Sequence, residues 1–174
     1  MGDGGLTVGG VCYKNFIDNK LSKVKFKNVY LGKNYNEKEI LNSLSDYKDK
    51  ITFSKMSNRS VEISKQLEEN KVVGYFDGRM EFGPRALGSR SILVNAENKS
   101  INDYLNKRLE RTEFMPFAPV TPIDYASECY LNWEDNQVAS YFMTRTYDCD
   151  ERFIRDHEAV VHIDGTARPQ IISP

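Results

Sequence analysis

The feature that most limits what this chain can become is a change of hydrophobic pattern between Lys71 and Leu109. Two short apolar runs, Lys-Val-Val-Gly-Tyr-Phe and Ser-Ile-Leu-Val-Asn-Ala, have the length and β-branched content of strands. The first ends at Asp77-Gly78 and the second opens at Ser91, with a polar loop between them. Beyond them Ile101, Leu105 and Leu109 recur at helical spacing, and Ser100 with Asp103 supplies a start signal. Strands alternating with helices predict an α/β or α+β sheet domain.

The flanking segments extend the pattern. A helix is expected to open at Asn36, where Glu39 completes a capping box and Ile40, Leu41, Leu44 and Tyr47 share a face. A second is expected from about Arg59 to Glu69, capped by Ser57 or Asn58 and burying Val61, Ile63 and Leu67. Past the stiff Met-Pro-Phe-Ala-Pro segment, a short helix is expected near Tyr125 to Leu131. Strands are expected near Ser140 to Thr144 and near Ala159 to Ile163. The opening Gly-Asp-Gly-Gly-Leu-Thr-Val-Gly-Gly-Val suits either a turn bringing backbone close to something else or a frayed end. Met1 directly before a stretch of mid-domain character reads as a start codon placed on a cloned fragment.

Composition narrows the function. With 174 residues the chain holds one domain with a proper core plus an N-terminal remnant. Its 24 basic and 25 acidic residues leave a net charge of −1, so no global field favours nucleic acid or an anionic membrane, and an anion must be caught locally. No apolar run reaches bilayer length and no signal peptide is evident, which makes a cytoplasmic protein the expectation. Cys12, Cys129 and Cys149 are odd in number and widely spaced, so free buried thiols are expected. Only His157 and His162 offer imidazole, and no metal site is expected from this chain.

The densest chemical signal is the loop from Gly78 to Ser91, with Arg79, Arg85 and Arg90 among glycines and serines. Glycines expose N–H groups and guanidinium forks grip phosphate oxygens in two places, so a phosphorylated ligand fits. The spacing matches neither a Walker A loop nor a dinucleotide fingerprint. A solvated loop whose arginines pair with Glu81 or surface acids accounts for the same residues equally well. A second cluster, His162, Asp164, Thr166 and Arg168, surrounds a glycine turn where side chains can converge on a ligand. Alternatively, Asp164 merely closes the turn while His162 packs. Lys107, Arg108 and Arg111 end a helix, where the macrodipole favours cations. The Pro-Phe-Ala-Pro beside them fixes an extended path and is a candidate pocket wall. A hydrolase apparatus is missing, and basic residues are not interleaved with aromatics as in single-strand binders.

Taken in order, Glu-Phe-Gly-Pro-Arg-Ala-Leu-Gly-Ser-Arg-Ser-Ile-Leu, Met-Pro-Phe-Ala-Pro-Val and His-Ile-Asp-Gly-Thr-Ala-Arg-Pro-Gln resemble the C-terminal region of the NodU/CmcH carbamoyltransferases. The glycine-rich opening is similar to the end of that family's N-terminal, actin-like ATPase domain. The resemblance implies a YrdC-like twisted mixed sheet flanked by helices. On that footing residues 1–13 are a remnant of the N-terminal domain, 14–56 a linker with a helix, and 57–174 the YrdC-like domain, incomplete at its end. It also implies ATP and carbamoyl phosphate as substrates, with Mg2+ admitted beside them, formation of carbamoyl adenylate, and transfer of the carbamoyl group to an acceptor hydroxyl in the metal-containing N-terminal domain. Partners would be that domain and a small hydroxylated acceptor, without nucleic acid or membrane.

Carried over by position, Arg85, Arg90 and Ser91 would hold phosphates, and His162, Asp164, Thr166 and Arg168 match the second motif, Arg168 being the foremost anion contact. Arg85, Arg168 and His162 are the catalytic candidates; Arg79, Arg90, Ser91, Lys107, Arg111, Asp164 and Thr166 are the substrate-binding ones. Catalysis of this kind is electrostatic, with cations neutralising charge on phosphoryl oxygens. The sequence departs from the family where an arginine is common before Pro116 and a lysine six residues earlier. Here Met115 and Leu109 stand at those places, and Lys107, Arg108 or Arg111 would substitute. The family's further Ser-Phe-Asn segment does not follow, so the resemblance implies a partial ATP site and an inactive fragment. A noncatalytic nucleotide-binding module and a structural docking domain are the alternative readings.

Overall fold

The computed structural model describes residues 4–20, 22, 28–111, 116–135 and 137–173. The chain divides into two compact units, one of Met1–Ile63 with Gly74–Ile92 and the other of Ser64–Val73 with Leu93–Pro174.

In the first unit, α1 spans Gly4–Ile17, α2 Glu37–Ser45 and α3 begins at Arg59, running to Glu68. From Gly4 onward the glycine-rich opening is thus helical rather than a turn or a frayed end. Its hydrogen bonds need no φ that glycine alone can adopt, and Leu6, Val8 and Val11 among the glycines sustain the helix. The capping box at α2 forms as its sequence requires: the Glu39 N–H donates to Asn36 Oδ1 at 3.0 Å and the Asn36 N–H to Glu39 Oε2 at 2.9 Å. Asn58, not Ser57, caps α3, accepting from the Val61 N–H at 3.3 Å. Val61 itself is 59% exposed, so the apolar face of α3 is narrower than its spacing suggested.

Strands β1 (Val73–Phe76) and β2 (Arg90–Leu93) form a two-stranded sheet. β2 stops at Leu93, earlier than the Ser-Ile-Leu-Val-Asn-Ala run implies, and a bend follows at residues 96–97. A bridge between Tyr30 and Glu81 ties residues 29–32 to residues 80–82, with Gly32 N–H donating to Met80 O and Phe82 N–H to Val29 O.

In the second unit, α4 spans Ser100–Arg108, α5 Ala126–Cys129 and α6 Glu151–Asp156. Ser100 lies inside α4 rather than capping it, and donates with both N–H and Oγ–H to Asn98 Oδ1. Leu105 is buried but Leu109 is 41% exposed, so the helix presents a different face from the one its leucines trace. Strand β3 (Val120–Pro122) pairs in parallel with β6 (Gln170–Ile172), and β4 (Tyr147–Asp148) pairs antiparallel with β5 (Thr166–Ala167).

The expected strand at Ser140–Thr144 is a 3-10 helix over Val138–Phe142, closed by Met143 in the left-handed region. The expected strand at Ala159–Ile163 is likewise a 3-10 turn, Glu158–Val160, which buries Ala159 and Val160. Apolar runs this short satisfy burial in either conformation, and tertiary packing decides. The composition is therefore mixed helix and sheet as expected, but among the described residues the strands lie in three two-stranded sheets instead of one.

The core of this unit gathers Ala126, Tyr130, Tyr147, Cys149, Ala167 and Ile171, with Phe153 and Trp133 against it. Tyr130 packs tilted on Tyr147 and Phe153, at ring-centroid distances of 5.6 and 5.5 Å. Both buried phenols find partners, Thr121 Oγ1 at 2.7 Å for Tyr130 and Ser140 Oγ at 2.5 Å for Tyr147. Such pairing removes most of the cost of burying a hydroxyl. No helix among the described residues is long and apolar enough to cross a membrane.

Candidate functional site

The arginine-rich loop of the first unit is organised around a buried carboxylate. Glu81 is 7% exposed, and its Oε1 accepts from the backbone N–H groups of Leu87 (2.7 Å), Ser89 (2.6 Å) and Arg90 (3.1 Å). Burial alone would push this carboxyl up, but the backbone N–H groups of Glu81, Leu87, Ser89 and Arg90 together outweigh it and hold the carboxyl below its ordinary value. The Gly88 N–H donates to Ser91 Oγ at 3.0 Å. Gly88 sits at φ +98, a conformation side chains resist, and this lets three neighbouring amides turn toward one oxygen. The amides of Leu87, Ser89 and Arg90 thus converge on an internal carboxylate, while the Gly88 N–H turns to Ser91.

The guanidinium groups on this loop are also engaged. Arg90 stacks on Phe76 at 3.6 Å and donates to the carbonyls of Asp77 (2.9 Å), Ser89 (2.7 Å) and Gly78 (3.2 Å). Arg79 donates to Gly32 O at 3.0 Å and Leu31 O at 3.1 Å. Arg85 is half-buried between Pro84 and Ala86. Glu81 itself is held by backbone N–H groups.

In the second unit His162 and Asp164 close a turn. The Gly165 N–H donates to His162 O (2.9 Å) and the His162 N–H to Thr166 O (2.7 Å). Asp164 Oδ1 accepts from the Thr166 N–H (3.0 Å) and hydroxyl (2.8 Å), and the hydroxyl and then the amide hold its carboxyl below the usual range. Gly165, at φ +80, makes the turn possible.

Arg168 follows between Ala167 and Pro169, both fully buried, so its backbone has no freedom to withdraw. Its Nε is buried and has no hydrogen-bond partner among the described residues. Lys107 is exposed near the end of α4, and Arg111 lies over Phe117 at 4.9 Å, so the Pro-Phe-Ala-Pro segment does meet one of the cations beside it. Met115 lies outside the described residues, as do Met1, Gly2 and Asp3.

Arg79, Arg85, Arg90 and Ser91 therefore belong to the first unit, and Lys107, Arg111, His162, Asp164, Thr166 and Arg168 to the second. Sequence reasoning missed the anchoring task of Glu81. The available signal was an acid three residues into a glycine and arginine loop, where a solvated side chain was also reasonable. It also missed three buried polar atoms of the second unit that have no partner among the described residues, Asn102 Oδ1, Asn106 Oδ1 and His157 Nδ1.

Comparison with known sequences bears on these geometries. The profile of the family described as carbamoyltransferase C-terminus matches residues 64–174. A protein of Methanocaldococcus jannaschii whose name assigns no activity is 36% identical over 99% of this chain, which covers 33% of that protein. Nodulation protein U of Rhizobium tropici is 37% identical over 65% of this chain and 19% of its own length. The 3'-hydroxymethylcephem-O-carbamoyltransferase of Streptomyces clavuligerus is 35% identical over 64% of this chain and 20% of its own length. The chain thus spans a third or less of these relatives.

Proposed function

Since this chain belongs to the carbamoyltransferase C-terminus family, we propose that it is the C-terminal part of an O-carbamoyltransferase that makes carbamoyl adenylate from ATP and carbamoyl phosphate. The observation that carries the reading beyond the family is Arg168, a cation whose buried Nε lacks a partner among the described residues, on a backbone that cannot retreat. A buried unpaired donor on a permanent cation is costly, and an anionic ligand would relieve that cost.

In this reading water first cleaves carbamoyl phosphate to carbamate and inorganic phosphate. A carbamate oxygen then attacks the α-phosphorus of ATP, forming carbamoyl adenylate and expelling pyrophosphate. An acceptor hydroxyl finally takes the carbamoyl group, gives up its proton and releases AMP. Arg168 and Arg85 would neutralise charge on phosphoryl oxygens, with Lys107 and Arg111 as further cations and His162 donating to an oxygen from the turn that Asp164 and Thr166 fix. Arg79, Arg90 and Ser91 would act by shaping the loop that presents Arg85, since their described bonds are internal to the first unit. Mg2+, where it accompanies ATP, would arrive on the phosphates. The YrdC-like sheet, the acceptor site and its metal belong to this proposal too, with the remainder of a longer polypeptide as partner.

Pyrophosphate release from ATP and carbamoyl phosphate tests it, comparing a longer polypeptide that carries this chain, the 174-residue chain alone, and Arg168→Ala in the longer form. The expected result is release by the longer form alone, falling roughly a hundredfold in Arg168→Ala. A longer form that binds ATP but releases no pyrophosphate would replace the enzyme with a noncatalytic nucleotide-binding module.

A further inference from the structure

The tip of the arginine-rich loop is held at both ends by one short segment, residues 29–32, that lies outside the matched family region of residues 64–174. On the near side the Phe82 N–H donates to Val29 O at 2.7 Å, within the antiparallel bridge that pairs Tyr30 with Glu81. On the far side the Tyr30 hydroxyl donates to Leu87 O at 2.7 Å, across 57 residues of sequence. Gly83, Pro84, Arg85 and Ala86 run between these two fixed points.

The holding segment is itself secured. Val29 is buried, the Gly32 N–H donates to Met80 O at 2.9 Å, and the Arg79 guanidinium forks onto the carbonyls of Leu31 and Gly32. At the far anchor Leu87 is fixed through side chain and backbone together: its side chain is buried, its N–H donates to Glu81 Oε1 and its carbonyl accepts from Tyr30. Glu81 already gathers the amides of Leu87, Ser89 and Arg90. The phenol bond therefore adds a constraint directed at the tip. Within the tip, Pro84 locks its own φ and Gly83 sits at φ +124, so a short path between two anchors leaves Arg85 few ways to point.

The geometry points to Tyr30 as a positioning residue for Arg85, acting through the Leu87 carbonyl on the tip that presents the guanidinium. This rests on the reading that Arg85 meets a phosphoryl oxygen. Loss of the phenol hydroxyl loosens the far anchor and lets the tip shift. Displacing a group by about 1 Å from developing charge can cost on the order of a hundredfold in rate, and part of that loss is expected here.

A double-mutant cycle on pyrophosphate release by the longer polypeptide that carries this chain tests the assignment. Tyr30→Phe keeps the ring and removes only the hydroxyl, and is expected to lower kcat/KM about tenfold. With Arg85 already replaced in Arg85→Ala, the same change is expected to cost less than about twofold, because the group it positions is gone. A bond that served stability alone would lower both backgrounds by one factor, and that result would overturn the inference, as would unchanged activity in Tyr30→Phe. Either outcome leaves the carbamoyltransferase reading intact. An unaltered longer form that releases no pyrophosphate removes that reading and this inference with it. Should Arg85→Ala be silent, the cycle is read in ATP affinity by calorimetry, where the same coupling is expected and equal weakening in both backgrounds overturns it. Should Tyr30→Phe fail to fold, Arg79→Gln takes its place: the side chain is exposed, and its fork on Leu31 and Gly32 holds the same segment. Its effect is likewise expected to vanish in the Arg85→Ala background, and a persistent effect counts against the assignment.

Discussion

Glu81→Ala should cost the first unit far more than its position in a charged loop suggests. One carboxylate oxygen receives three backbone N–H bonds, at 2.6, 2.7 and 3.1 Å. Hydrogen bonds to a charged acceptor contribute about 1.5–3 kcal/mol each when removed singly. Three that share one oxygen cannot count independently, and water can reach part of the vacated loop, so the loss expected is about 3 kcal/mol. For a chain of this size that lowers the melting temperature by roughly 6 to 12 °C. Glu81→Gln keeps an oxygen but not the charge, and about half that loss is expected.

The pH dependence has a defined sign. The folded carboxyl titrates below its unfolded value, so its contribution is fully present above the unfolded value and disappears as pH falls through the folded one. The melting gap between the unaltered chain and Glu81→Gln should therefore hold steady above the unfolded value of about 4.3 and narrow as pH falls below it. Hydrogen exchange read at Leu87, Ser89 and Arg90 gives the local signal, with all three amides accelerating together in Glu81→Ala. If that variant melts like the unaltered chain and those amides exchange at unchanged rates, the anchor does not exist and the loop is held some other way.

Two glycines separate steric from conformational demands. A Cβ on Gly32 would lie 2.7 Å from Met80 Cβ, so Gly32→Ala should cost about 2–3 kcal/mol in urea unfolding by forcing the two segments apart. Gly88→Ala meets nothing within 4 Å and loses only for its φ of +98, about 1–2 kcal/mol; identical losses at both sites would contradict this account. Burial pushes the Cys149 thiol up to about 12, so iodoacetamide at about pH 8 should leave it unmodified until urea is added, as peptide mapping would show. Val61→Asp should change stability by less than about 0.5 kcal/mol in the same urea assay, because the side chain is 59% exposed.

The legible parts of this fold are those governed by neighbours in sequence. The Asn36 and Glu39 box, the α3 start and the Asp77-Gly78 end of β1 depend on residues within four positions of one another, and each forms as read. Strands near Ser140 and Ala159 were not legible. The first run is largely aromatic and the second β-branched, but the one lies in a 3-10 helix whose Ser140 hydroxyl bonds the Tyr147 hydroxyl, and the other in a 3-10 turn that buries Ala159 and Val160. The Asp164 turn was readable as a local motif, since its carboxylate accepts from Thr166, two residues on.

Polar burial explains where the remaining signal was lost. Apolar spacing assigned α4 the face of Ile101, Leu105 and Leu109, yet Leu109 is exposed while Asn102 and Asn106 carry buried oxygens. A sequence rule that ranks residues by hydropathy must rotate such a helix wrongly, because it treats an asparagine as a residue for solvent. Glu81 defeats the same rule, since an acid beside glycines reads as surface until three amides are seen to converge on it. The two cases nevertheless differ in physical kind. Glu81 is satisfied, so its burial serves the loop and needs no ligand to explain it. Asn102, Asn106 and His157 expend burial without recovering hydrogen bonds for these atoms from the described residues. Satisfaction, rather than burial itself, is therefore what separates Glu81 from these three atoms.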